Sequence, residues 1–288
     1  MRVFLLASFL LGICGCASLP RPVSTQAADP PAEPVAAAAA GELIRQDFSA
    51  RLGSGQAVSV DNPYGDVRLR FGGYQDELEI NTLAQQPQQA AAILLQPGVV
   101  DGIYRIAPRL PVDTLIAEGQ RLDLVVFVPL GHNVQVRTES GVIESRGIRA
   151  DIDLRSARGN IAIRGTSGSI NAETGPGTIE ASLLRAPPGS RQHLATSTGS
   201  IVLAVSDELD ANLELSTSAA FATEFSLHVE NLRGQEPNKR ATAQIGEGKA
   251  DVIVESRRGE IRLLRWTGFT TVNGKPVDED EQADTDSD

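Results

Sequence analysis

Through the middle of the chain, isoleucine or valine returns every nine residues, at Val134, Ile143, Ile152, Ile161, Ile170 and Ile179. Glycine returns every eighteen, at Gly141, Gly159 and Gly177. Around these fixed points apolar and polar residues alternate, which is the two-residue period of a strand with one buried face. The repeat reads apolar-x-apolar-x-(Thr/Ser/Asn)-x-x-Gly-x-(Ile/Val)-x-apolar. Its clearest copy is Ile152, Leu154, Ser156, Gly159, Ile161, Ile163. Flanking copies read Val134, Val136, Thr138, Gly141, Ile143 and Ile170, Ala172, Thr174, Gly177, Ile179, Ala181. A fourth, Leu194, Thr196, Gly199, Ile201, Leu203, follows a longer insertion. Two more stand apart: Val58, Val60, Asn62, Gly65, Val67, Leu69 near the start, and Val252, Val254, Ser256, Gly259, Ile261, Leu263 near the end.

Eighteen residues hold two short strands joined by a glycine-bearing corner. The pattern therefore predicts an all-β chain, a β-solenoid (single-stranded β-helix-like) of stacked short strands with a period of about 18 residues. Stacking at roughly 4.8 Å sets Val136 over Leu154 over Ala172, with Ile143, Ile161 and Ile179 in a second column. Thr138, Ser156, Thr174 and Thr196 form an inward hydroxyl column, placed to satisfy turn amides. The corner glycine is expected to supply backbone angles that other residues resist. The array breaks at Leu184 to Gln192, where Pro187, Pro188 and Gly189 mark an extruded loop, and at Ala219 to Phe221, where the expected glycine is missing. Less regular strands are predicted at Leu78 to Thr82, Ile103 to Ala107 and Leu122 to Val128. Gln88 to Leu95, after Pro87, reads as a short helix or a loop.

The repeat resembles the bacterial putative-adhesin β-strand-repeat family, a domain otherwise of unknown function. The residues that carry the resemblance are Asn62-Pro63-Tyr64-Gly65-Asp66-Val67, the Val128-Pro129 step, and the corners Ser140-Gly141-Val142-Ile143, Gly159-Asn160-Ile161 and Thr198-Gly199-Ser200-Ile201. The closing Ile245-Gly246-Glu247-Gly248, followed by Val252 to Ile261, belongs with them. The resemblance covers roughly residues 43 to 265. It implies a β-solenoid and an adhesin role, and it brings no catalytic residue.

The N-terminus supplies an address. Met1-Arg2 precedes an apolar run, Val3 to Ile13, that is too short to span a bilayer and reads as a signal-peptide core. Ile13-Cys14-Gly15-Cys16 resembles a bacterial lipobox, with Cys16 as the lipid attachment site; an ordinary signal cleaved after Ala17 is the alternative, and either way the protein is expected to be exported. Ala17 after that cysteine resembles outer-membrane sorting rather than inner-membrane retention. Both cysteines lie in this segment, so the domain beyond it stands without a disulfide. The expected organisation is a lipoprotein signal peptide over 1–16, a Pro/Ala-rich tether over 17–42, the strand-repeat domain over 43–268 and an acidic disordered tail over 269–288. Seven carboxylates between Asp278 and Asp288 account for most of the net charge of −11; without them it is −4. The folded part is thus only mildly acidic, and a chain with neither basic excess nor many aromatics is not built for nucleic acid.

No convergent catalytic set is visible. His132, His193 and His228 lie far apart without metal-ligand spacing and read as surface or turn residues. Ser140-Gly141 and Ser167-Gly168 are corners, Gly246-x-Gly248 is a lone glycine pair in a β region, and Asp151 with Asp153 reads as a hydrated outer face rather than a glycosidase dyad. No cofactor, metal or catalytic residue is expected. The eighteen-residue period does stack Arg137 on Arg155, which then meets Glu173, and Arg146 on Arg164 on the other sheet. Asp153 and Glu144 lie nearby to offset the repulsion. These four arginines form a candidate ladder for phosphate or sugar-acid groups of envelope glycans. The chain is therefore expected to be a non-catalytic envelope lipoprotein with a membrane anchor, binding a glycan or surface protein, with a periplasmic structural scaffold as the alternative. Radiolabelled fatty acid should enter the wild-type chain and not Cys16→Ser; equal labelling of the two removes the anchor.

Overall fold

The computed structural model describes residues 42–267, with the backbone of Thr270–Val272 and Lys275–Val277 as a small antiparallel pair. The signal peptide, most of the tether and residues 278–288 lie outside the described residues. That antiparallel pair falls within the segment that composition assigned to the acidic tail.

Two sheets face each other across an apolar core. The first carries ten strands and the second eleven among the described residues. Each central repeat contributes one strand to each, as Ile152–Ser156 and Ile161–Arg164 do. The expected columns are present: Val136, Leu154 and Ala172 share a register, as do Ile143, Ile161 and Ile179. All six are buried. Burial of each large aliphatic side chain contributes about 1.5–3 kcal/mol, and every one is covered by its neighbours in the turns above and below.

The order of the turns departs from the sequence. Eight turns stack among the described residues: the six template copies lie in chain order, and two further turns lie at the ends, out of sequence. The copy Val58–Asn62 and Val67–Phe71 lies between the turn formed by Ile103–Ile106 with Arg121–Val128 and the turn that starts at Val134. At the far end, Ala250–Ser256 and Ile261–Arg265 lie between the turn of Arg191–Thr196 and the later-stacked, earlier-occurring turn of Ala211–Thr217 with Phe221–Thr223. At both ends the chain builds the outer turn out of sequence, and the two copies remote in the chain are integral layers of the stack.

The ends are closed by antiparallel strands. Glu42–Arg51 pairs with Glu77–Gln86, which pairs with Arg121–Val128 at one end of the first sheet. Lys239–Ile245 and His228–Asn231 extend the second sheet at the opposite end. Charged, solvated edge strands of this kind discourage end-to-end pairing of solenoids. Gln88 to Leu95 is not a helix: Gln89 has φ +68°, which ends a helical turn, and Leu94 makes an isolated bridge to Arg109. The expected loop runs from Leu184 to Ser190, since Arg191 and Gln192 already belong to the strand Arg191–Thr196, and Gly189 N–H donates to Lys249 O at 2.8 Å.

The reason for the corner glycines needs correction. None of Gly65, Gly141, Gly159, Gly177, Gly199 and Gly259 has a positive φ. What excludes a side chain is the neighbouring backbone: a Cβ on Gly159 would lie 2.0 Å from Gly141 O, and one on Gly199 1.8 Å from Gly177 O. The hydroxyl column converges on the same carbonyls. Thr174 Oγ1 donates to Gly159 O at 2.7 Å, Thr196 Oγ1 to Gly177 O at 3.0 Å and Ser256 Oγ to Gly199 O at 2.9 Å. As expected, these oxygens also accept from turn amides, Gly159 N to Ser156 Oγ at 2.7 Å among them. Asn62 takes the same place with its amide, donating to Leu122 O at 2.8 Å. Near Ala219 to Phe221 the corner is one residue shorter, with Phe221 paired to Ile261, so the glycine is dispensable there.

Gly159→Ala should lower stability by about 2–4 kcal/mol, because neither backbone can move aside. Gly98→Ala, whose Cβ meets nothing within 4 Å, should stay within about 0.5 kcal/mol of wild type. Urea denaturation of the two variants decides between close approach and a general intolerance of substituted glycines.

Candidate functional site: the outward columns

Strand alternation that sends the apolar residues inward sends their neighbours outward, and parallel register sorts those neighbours into columns. On the second sheet, Ser59, Gln135, Asp153, Asn171 and His193 occupy successive rungs. Their side chains are bonded into a ladder. Gln135 Nε2 donates to Asp153 Oδ2 at 3.0 Å, Asn171 Nδ2 to Asp153 Oδ1 at 2.9 Å, and His193 Nδ1 meets Asn171 Oδ1 at 2.9 Å. Partial burial pushes the Asp153 carboxyl up, but the hydrogen bonds from Gln135 and Asn171 and the Arg155 charge outweigh it and hold the group below its ordinary value. The ladder floors a shallow groove of about 630 Å³, bordered by Ile103 at one end and Arg191 at the other.

Beside it run Asp61, Arg137, Arg155 and Glu173, in that order. Arg155 Nε lies 3.1 Å from Asp153 Oδ1 and 3.9 Å from Glu173 Oε2. Both arginines line a corner trough of about 510 Å³ together with Asp61, Glu139 and Glu173. This column is close to neutral.

The outer face of the first sheet is different. Arg70, Arg146 and Arg164 are consecutive rungs of one column. Glu144 does not offset Arg146; it turns to Arg70, at 3.0 Å, and to Arg68, at 3.8 Å. Arg146 and Arg164 form no ion pair with any described residue. Like charges on facing strand positions destabilise a sheet, so this column is not explained by folding.

As the eighteen-residue period implies, the four arginines form two pairs, Arg137 with Arg155 and Arg146 with Arg164, on the outer faces of the two sheets. Arg70 was missed by sequence reasoning because its copy stands far upstream, although it holds the same template position as Arg146 and Arg164. The Gln135–His193 ladder was missed because neutral polar residues carry no distinctive pattern. His132 is no surface residue: it is buried, with Nδ1 2.8 Å from Gln56 O and Nε2 3.3 Å from Asp76 Oδ1. The Gly246-x-Gly248 turn is filled by the chain's own Asp210, whose Oδ1 accepts from Gly248 N at 2.6 Å. Asp151 accepts from Ser169 N at 2.8 Å, so it and Asp153 are both engaged in structural hydrogen bonds. Among the described residues no group of three His, Cys, Asp or Glu gathers as a metal site. Cys16 lies outside the described residues.

The sequence profile of the Toastrack DUF4097 family matches residues 96–264. This begins after the Val58 copy, so it is narrower than the range over which the sequence resemblance runs. Comparison with curated proteins returns no match. Among solved structures, a putative cell adhesion protein from Clostridium sporogenes ATCC 15579 is similar at 10% identity and a TM-score of 0.48, covering 78% of this chain and 100% of that one. A putative adhesin from Bacteroides fragilis NCTC 9343 is similar at 11% identity and a TM-score of 0.33, covering 78% and 97%.

The lowered Asp153 pKa has a defined sign. Its stabilising contribution is complete above the unfolded carboxylate value of about 3.9 and is lost as pH falls through the lower folded value. The gap in urea midpoint between wild type and Asp153→Asn should therefore be constant near neutrality and close below about pH 4. A gap that persists unchanged in acid contradicts the ladder as the source of the shift.

Proposed function

The chain belongs to the Toastrack DUF4097 family, and from that premise we propose that it is a non-catalytic cell-envelope lipoprotein that presents its solenoid as a binding and adhesion module. In this reading Cys16 anchors it in the outer membrane and the 17–42 segment holds the domain off the lipid. The observation that carries the proposal is the Arg70–Arg146–Arg164 column. Three guanidinium groups recur at the strand spacing of about 4.8 Å on an open sheet face. Each is a planar fork of donors suited to phosphate or carboxylate. A row of this kind matches a polymer with repeated anionic groups, such as an envelope glycan bearing phosphate or sugar acids. The neutralised Arg137–Arg155 pair is a lesser contributor, because Asp153, Glu173 and Asp61 already compete for it.

Function and folding make different demands on this column, which gives the test. Replacing Arg70, Arg146 and Arg164 by Gln should change stability by less than about 1 kcal/mol, since removing like charges offsets the loss of the part-exposed Arg70–Glu144 pair. The same variant should lose at least about tenfold in affinity for an anionic polysaccharide, and wild-type binding should weaken steeply with added salt. Arg137→Gln with Arg155→Gln should lose much less. Equal binding by wild type and the triple variant removes the column as the site; steady hydrolysis of the polysaccharide contradicts the non-catalytic reading.

A further inference from the structure

One feature of the stack has no part in the binding face. The loop of residues 107–120 joins the second sheet to the first at the end of the stack that carries Glu42–Arg51. Val112 is 90% and Leu115 89% exposed, and Ile116 is exposed beside them. Val112 is held out by construction. Thr114 N–H donates to Pro111 O at 3.2 Å, closing a tight turn in which Asp113 takes φ +61° and Val112 stands at the tip. A loop that displays three large aliphatic side chains gains nothing in water from doing so.

The position of the loop indicates what covers it. Glu42 pairs with Gln86, and the adjacent Gln85 faces Arg121, the residue after the loop closes at Gln120. Gln86 Nε2 donates to Ala90 O and Gln120 Nε2 to Ala91 O, so the same short segment braces both the start of the first strand and the end of the loop. The chain therefore leaves the domain toward residue 41 beside the apolar loop, where Leu43 is also exposed. A group attached at Cys16 through the Pro- and Ala-rich segment 17–41 is tethered to this corner, within a reach of several tens of Å at about 3.1 Å per residue.

We propose that the 107–120 loop docks this end of the solenoid on the lipid surface to which the chain is anchored, inserting Val112, Leu115 and Ile116 among the headgroups. The proposal rests on the Cys16 anchor. Loop charges are mixed, Arg109 against Asp113 and Glu118, so the contact is apolar and independent of lipid charge. The tether keeps the local concentration of bilayer high, which lets a few aliphatic side chains suffice where they could not recruit a free protein. The outcome is an upright solenoid, with its lateral faces, the arginine column included, left open.

The chain offers its own control. Trp266 is the one tryptophan, and it follows the strand Ile261–Arg265 in the next-to-last turn at the opposite end of the stack. The chain from Cys16 to Asp288 holds a single thiol once Cys14 is left out, so Cys16 can be coupled to a maleimide phospholipid in phosphatidylethanolamine–phosphatidylglycerol vesicles. Leu115→Trp in the Trp266→Phe background should then lose roughly half or more of its emission to brominated acyl chains, as a side chain seated about 5–10 Å deep does. Trp266 in the otherwise wild-type chain should lose almost none. The Leu115→Trp quenching should survive high salt and disappear in the Val112→Asp, Ile116→Asp background. Absence of quenching at position 115 in the coupled protein overturns the proposal, as does equal quenching at 115 and 266. A blue shift at 115 that depends on protein concentration and not on lipid also overturns it, assigning the loop to a second copy of the chain. The coupling is chemical, so these results do not depend on cellular lipidation. Mass measurement of the cell-derived protein tests the anchor separately.

Discussion

The stack depends on one contact, the approach of each corner glycine to the carbonyl of the corner glycine in the preceding turn. A Cβ on Gly141, Gly159, Gly177, Gly199 or Gly259 would lie 1.8–2.1 Å from that oxygen. In four of these five contacts the same oxygen is claimed by a hydroxyl, from Ser156, Thr174, Thr196 or Ser256. The corner is thus held by a direct backbone approach and by a hydrogen bond that satisfies a buried acceptor. Because both terms fix the height of one turn over the next, they also fix the register of every strand that leaves the corner.

Register then determines the rest. Inward, it aligns Val67, Ile143, Ile161, Ile179, Ile201 and Ile261 into one continuous apolar column. Outward, it aligns side chains that folding alone does not specify. One outward column is a self-satisfied ladder around Asp153, which consolidates the second sheet. Another is the run Arg70, Arg146, Arg164, in which Arg70 pairs with Glu144 while Arg146 and Arg164 form no ion pair with any described residue. The physical distinction between the two lies in whether the column satisfies its own polar groups. The first is structure; the second is the one we propose is offered to a partner.

The apolar columns, the hydroxyl column and the extruded loop were legible in the sequence because each is a local consequence of the eighteen-residue template. The stacking order was not. A template copy says that a turn exists, and only chain continuity suggests its neighbours; the turn of Ile103–Ile106 with Arg121–Val128 and that of Ala211–Thr217 with Phe221–Thr223 break that continuity, each lying at an end of the stack and not between the copies that flank it in the chain. The antiparallel strand Glu42–Arg51 was illegible for another reason: it is exposed along most of its length and lacks the alternation that marks a half-buried strand. The glycines were found for the wrong cause, since a need for unusual φ and a need for close approach leave the same residue in the sequence. The site was half legible. Arg146 and Arg164 followed from the period, while Arg70 became their neighbour only through the interchange of turns.

That interchange is the claim on which both the fold and the arginine column stand, and a disulfide scan tests it directly. In a chain with Cys14 and Cys16 replaced by Ser, no thiol remains. Neighbouring rungs place Cα atoms about 5 Å apart, within disulfide reach, whereas two rungs, roughly 10 Å, exceed it. Phe127 faces Arg70, and Arg70 faces Arg146. Arg70→Cys with Arg146→Cys should therefore oxidise to an intramolecular disulfide, and Phe127→Cys with Arg146→Cys should not. The reverse result, a bond between positions 127 and 146 and none between 70 and 146, would mean that the turns stack in chain order and that the three-arginine column does not exist.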